Sequence, residues 1–189
     1  ALVTPPDGML AAQARNVPPS TNLCALPESA GYQSLDHRHY FVEIHDPSSP
    51  GPATWKWSRD NAAFVARWLA RNGNELTVST TGFDAHIGFR NGGWVELTSD
   101  TRELAGLPGT LVRVDRVAGD ILEVDTTTAT GSLNPADFGN NPKIRAWDSA
   151  GAVNLTTGSF LPLENGVEVE FSPGDYRTGD YWMIPARSG

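Results

Sequence analysis

The chain has 189 residues, a formal net charge of −8 and a hydrophobic share of 39%. That length carries one compact domain, or two small β modules with a shared surface. The distributed negative charge argues against a nucleic-acid surface. The single Cys24 excludes an internal disulfide framework, and no apolar run approaches the ~20 residues of a bilayer-spanning helix.

The first 34 residues read as an extended N-terminal arm punctuated by Pro5-Pro6, Pro18-Pro19 and Pro27. Met9–Arg15, capped by Asp7, offers at most a turn or two of helix. The ends ALVTPPDG and IPARSG, without a starting Met, read as those of a piece of a longer or processed protein. From residue 35 to 189 the chain reads as a β domain. In HRHYFVEIHD, positions 37, 39, 41, 43 and 45 share one face of a strand, and Arg38, Tyr40, Val42 and Ile44 share the core face. A Pro/Gly connector leads to the partner strand ATWKWSRD, where Thr54, Lys56 and Ser58 oppose Trp55, Trp57 and Arg59.

Residues 62–81 fit either a helix or a hairpin. Asn72-Gly73 between two strand-like runs favours the hairpin, because such turns need positive φ. Residues 94–127 read as a meander: WVELTSD, a turn through ELAGLPG, then TLVRVDRVA and ILEVDTTT around Gly119-Asp120. The polar stretch 128–142 is the best internal boundary, dividing two sub-modules. KIRAWD, SFLPL, GVEVEFSPG and DYWMIPAR are further strands. Short segments at intervals of about 8–12 residues predict an all-β fold of antiparallel strands, as a sandwich or small barrels with little helix.

Several residues carry chemical potential. His37 and His39 project from one strand face about 7 Å apart, a spacing that metal sites use, with His86 as a possible third ligand. Lys56 between two tryptophans fits a Schiff-base amine, or half of a Lys–Asn crosslink with Glu43 as proton shuttle. It equally fits a lysine whose stem lies along an indole and whose amine pairs with Glu43 or Asp60. Arg59-Asp60-Asn61 reads as a structural corner, forming a polar cluster with Glu43, His45 and Lys56. Trp94, Tyr176, Arg177, Asp180, Tyr181 and Trp182 combine aromatic faces with groups that take hydroxyls, as in sugar binding. Standard hydrolase, phosphate-loop, zincin and dinucleotide signatures are missing.

Four ordered motifs carry a resemblance: YFVEIHD…ATWKWSRDN, WVELTSD…ELAGLPGTLVRV, KIRAWD and GVEVEF…GDYRTGDYWMIPAR. Over roughly residues 30–187 the chain resembles bacterial proteins grouped only as a domain of unknown function, with genes often near those of phage-tail-like contractile injection particles. The resemblance marks Glu43, His45, Lys56, Trp57, Arg59, Asn61, Trp147, Gly179, Asp180 and Trp182 as pattern positions. His37 and His39 depart from that pattern, which has an amide and an aliphatic residue there. Family members extend beyond both ends of this chain.

Together these readings predict a non-enzymatic structural or attachment module of a phage-tail-like or surface assembly, extracellular or particle-associated. Its partners would be other particle or surface proteins, or a glycan, and it would form a homo-oligomer with no cofactor. A carbohydrate-binding module is the first alternative. A metal-dependent hydrolase centred on His37, His39 and Glu43 is the second.

Overall fold

The structure is a computed structural model that describes residues 7–15, 32, 34, 36–83 and 88–187. It is all-β, as the turn-punctuated sequence requires. In chain order the strands are β1 (Leu10–Ala14), β2 (Arg38–Ile44), β3 (Thr54–Ser58), β4 (Val65–Asn72), β5 (Glu75–Val78), β6 (Trp94–Ser99), β7 (Thr110–Ala118), β8 (Ile121–Asp125), β9 (Pro142–Trp147), β10 (Val153–Asn154), β11 (Leu161–Pro162), β12 (Val167–Phe171) and β13 (Tyr181–Ala186). The one α-helix among the described residues, α1 (Asp100–Leu104), is a single turn started by Ser99, whose hydroxyl accepts from the Arg102 N–H.

Strands β4 to β9 close into an antiparallel barrel in the order β4-β5-β8-β7-β6-β9. Its interior is filled by Trp68, Leu76, Val95, Leu97, Val112, Val114, Leu122 and Ile144, with Phe138 capping Trp68 edge-on. The hairpin reading of 62–81 holds. The turn sits one residue later than Asn72-Gly73 implies: Asn72 pairs with Glu75, so Gly73-Asn74 forms the tip, and Gly73 has φ +61°. In β7 the simple alternation fails. Leu111 faces the neighbouring layer while Val112 faces the barrel core, and both are fully buried. A register shift between Val114 and Arg116 then leaves Asp115 and Arg116 consecutively exposed, the bend of a bulged barrel strand.

The remaining strands make two sheets, β1-β12-β11 and β10-β3-β2-β13, which share one core. Tyr40, Val42 and Ile44 from β2 and Trp55 and Trp57 from β3 meet Val167, Val169 and Phe171 from β12. The core face assigned to β2 is therefore correct for these three residues. Met9–Arg15 does not form a helical turn. Leu10–Ala14 is instead a strand because β12 supplies a full ladder, Leu10 opposite Phe171 through Ala14 opposite Val167. His86 lies outside the described residues. The connector 128–142 runs between β8 and β9, two strands of the same barrel, and contains a 3-10 turn at Pro135–Phe138.

Sandwich and barrel meet across the second face of β2 and β3. A small cluster of Ala62, Leu111 and Trp147, with Phe41, Trp94 and Ala152, fills the junction. Strand β3 is accordingly buried on both sides, whereas a two-sided alternation would expose one. At the other end of the sandwich, an added Cβ on Gly8 would lie 2.3 Å from the Tyr176 ring. Gly8→Ala should therefore loosen β1 and cost about 1–3 kcal/mol. Faster amide exchange confined to Leu10–Ala14 and β12, with barrel amides unchanged, is the expected result.

Candidate functional site

The residue that could least be buried alone is Lys56, and it is 1% exposed. It sits on the barrel-facing side of β3 because Trp55 and Trp57 take the sandwich side. Register places Glu43 of β2 directly opposite, and the Lys56 Nζ lies 2.9 Å from Glu43 Oε1. From the barrel, Glu96 of β6 approaches to 2.7 Å. The His45 Nδ1 is 3.3 Å from the amine and 3.5 Å from Glu96 Oε1. The Trp147 ring lies 4.7 Å from the ammonium, and its indole N–H donates to Glu96 Oε2 at 2.9 Å. The Gly109 N–H donates to Glu96 Oε1 at 3.1 Å.

Two carboxylates thus share one ammonium, and they behave differently. Burial alone would raise the Glu96 carboxyl. The Lys56 charge, with His45 beside it, outweighs that and holds it well below the usual carboxylate range. Burial pushes the Glu43 carboxyl up, since Lys56 only partly offsets it and the neighbouring Glu96 charge adds to the rise. The arrangement is a charged clasp between layers, with Glu43 its more readily neutralised member.

A cavity of about 300 Å³ leads to the clasp, with Phe41, Leu107, Arg145 and Tyr181 among its lining residues. A second, of about 680 Å³, is lined by Arg38, Arg59, Trp94 and Asp148 among others. Trp147 contributes to the wall of the larger cavity and to the clasp itself.

The polar cluster inferred from sequence divides in two. Glu43, His45 and Lys56 form the clasp. Arg59, Asp60 and Asn61 form the corner after β3, where Asn61 and Ala62 have left-handed φ of 56° and 48°. Asp60 accepts from Arg38 at 2.7 Å and is not a partner of Lys56. Arg59 lies between Asp148 and Glu164. The described side-chain partners of Lys56 are carboxylates and an imidazole, with no asparagine among them.

The aromatic residues noted for sugar binding are divided between the sandwich core, the small cavity and the large one. Tyr176 is 3% exposed, its hydroxyl donating to the Ser172 carbonyl at 2.6 Å, and Trp182 packs with it against Phe171. Asp180 accepts from the Arg177 N–H, closing the turn before β13. Tyr181 is exposed and stacks on Phe41, whereas Trp94 lines the other cavity. His37 and His39 are both exposed, at the start of β2. Among the described residues no three His, Cys, Asp or Glu side chains converge on a metal position. Sequence reading missed Glu96, the partner that joins the layers.

Breaking the clasp has a defined signature. Lys56→Met should destabilise the fold by about 3–5 kcal/mol in urea denaturation, because Glu96 is left buried without its cation. Adding Glu96→Gln should reduce that loss. The pH dependence follows from the depressed Glu96 carboxyl: its stabilising contribution is complete above the unfolded carboxylate range and is lost as pH falls through the lower folded value. Glu43, shifted upward, acts with opposite sign. Glu96→Gln should therefore be less stable than wild type at neutral pH and show a flatter decline in strong acid, measured by denaturation across that range.

No curated protein and no solved structure matches the chain. One family does match, over residues 5–189. The chain belongs to that family, described as a family of unknown function (DUF6519).

Proposed function

We propose that the chain is a non-enzymatic attachment module of a phage-tail-like or other surface assembly, acting outside the cell or on a particle and held there by contacts with neighbouring copies. The observation that carries this reading is the outer strand β13. It pairs with β2 along one side and with no strand among the described residues along the other. Tyr181 and Met183 on it are 56% and 57% exposed. Tyr181 stacks on Phe41 with ring centroids 5.1 Å apart, and Leu107 shares the lining of the same small cavity. Leu104, 90% exposed, stands at the end of α1. An apolar strip beside an open strand edge marks a surface built for a partner.

The clasp supports the same reading. Its amine is enclosed by two carboxylates and its stronger acid by three donors, an arrangement that locks two layers together. The resemblance to proteins encoded beside contractile injection particles supplies the kind of assembly. The test is sedimentation velocity on the wild-type chain and on Tyr181→Lys/Met183→Lys. The wild type should sediment as a discrete oligomer at micromolar concentration, and the double variant as a folded monomer. A wild type that stays monomeric across the accessible concentration range would sink self-association.

A further inference from the structure

We infer that the larger cavity, between the barrel mouth and the corner after β3, is a binding site for a neutral saccharide. Its volume of about 680 Å³ falls within the roughly 300–1,000 Å³ of small-molecule sites. Aromatic and aliphatic groups form part of the lining, with Trp94 and Phe64 half-buried and Trp147 and Val95 buried. Half-buried aromatic groups are suited to the apolar C–H faces of sugar rings.

The polar lining decides the ligand's charge. Three arginines line the cavity, and each is already matched. Arg38 Nη1 lies 2.7 Å from Asp60 Oδ1, with Nη2 3.1 Å from Asp36. Arg90 Nη2 lies 2.8 Å from Asp148 Oδ1. Arg59 Nη2 lies 2.9 Å from Glu164. An anionic ligand would meet a carboxylate beside every guanidinium and find no uncompensated cation. A hydroxyl both donates and accepts, so it can bridge an aspartate and an arginine without displacing either. Sugar rings carry several hydroxyls beside an apolar face, which is the pattern this wall presents.

Arg59 extends this balance, since its buried Nε faces Asp148 Oδ1 at 3.3 Å. This site does not depend on the attachment reading, since Trp94 and Arg90 line a different cavity from Tyr181.

The experiment is a titration of the full chain, followed by tryptophan indole N–H signals in nitrogen-correlated spectra. The probes are neutral di- and trisaccharides of glucose, galactose, mannose and N-acetylglucosamine, a glucuronate-containing disaccharide, inorganic sulfate and a neutral tripeptide. At least one neutral saccharide should shift the Trp94 indole signal with saturation. Trp94→Ala should weaken that binding by roughly tenfold or more. Arg90→Gln, which removes the partner of Asp148 from the lining but keeps a polar side chain, should also weaken it while the spectrum stays folded. Met183→Lys should leave it unchanged. Silence from every neutral saccharide, binding confined to glucuronate, sulfate or the tripeptide, or full affinity retained in Arg90→Gln would each overturn the assignment.

Discussion

The constraint that organises the molecule is the need to neutralise one ammonium buried at the junction of two layers. A lysine removed from water loses several kcal/mol of hydration, and only close opposite charge with full hydrogen bonding restores it. Lys56 meets this requirement by drawing one carboxylate from its own sheet and another from the barrel. Neither layer alone offers the complete set. The two β bodies are therefore tied by an interaction that tolerates little error in position, whereas apolar packing at Trp147, Leu111 and Phe41 supplies area without fixing register.

That tie explains other placements. Gly109 stands beside Glu96 because a Cβ there would fall 2.5 Å from the glutamate Cγ and 2.6 Å from the Leu97 carbonyl oxygen. Only a bare backbone brings its N–H against the carboxylate at that distance. Trp147 faces the same carboxylate with its indole N–H and the ammonium with its ring, so one aromatic residue serves both charges. The upward shift at Glu43 and the downward shift at Glu96 follow from unequal support, since Glu96 also accepts from Gly109 and Trp147.

Much of the architecture was legible in the residues. Strand β2 declared its core face through Tyr40, Val42 and Ile44, and the β4–β5 hairpin declared itself through the glycine at its tip. The arm was not legible. Leu-Ala-Ala-Gln-Ala has weak strand preference, and its conformation comes from β12, more than 150 residues away. Strands β10 and β11 have two residues each, too few to show a period. At the clasp, Glu43 and Lys56 were readable as a cross-strand pair because one short connector joins their strands. Glu96 was not, because it alternates with Val95 and Leu97 as any solvent-facing glutamate would. Its inward role arises only when the second layer covers that face. The corner residues were recognised by turn chemistry, but the cavity beside them depends on Trp94 and Arg90, which no local pattern links to Arg59.

The barrel also has a bearing on how the molecule can be built into something larger. A sheet that closes on itself spends its main-chain donors and acceptors internally around the whole circumference. Strand addition by backbone pairing is thereby left to the open edges of the sandwich.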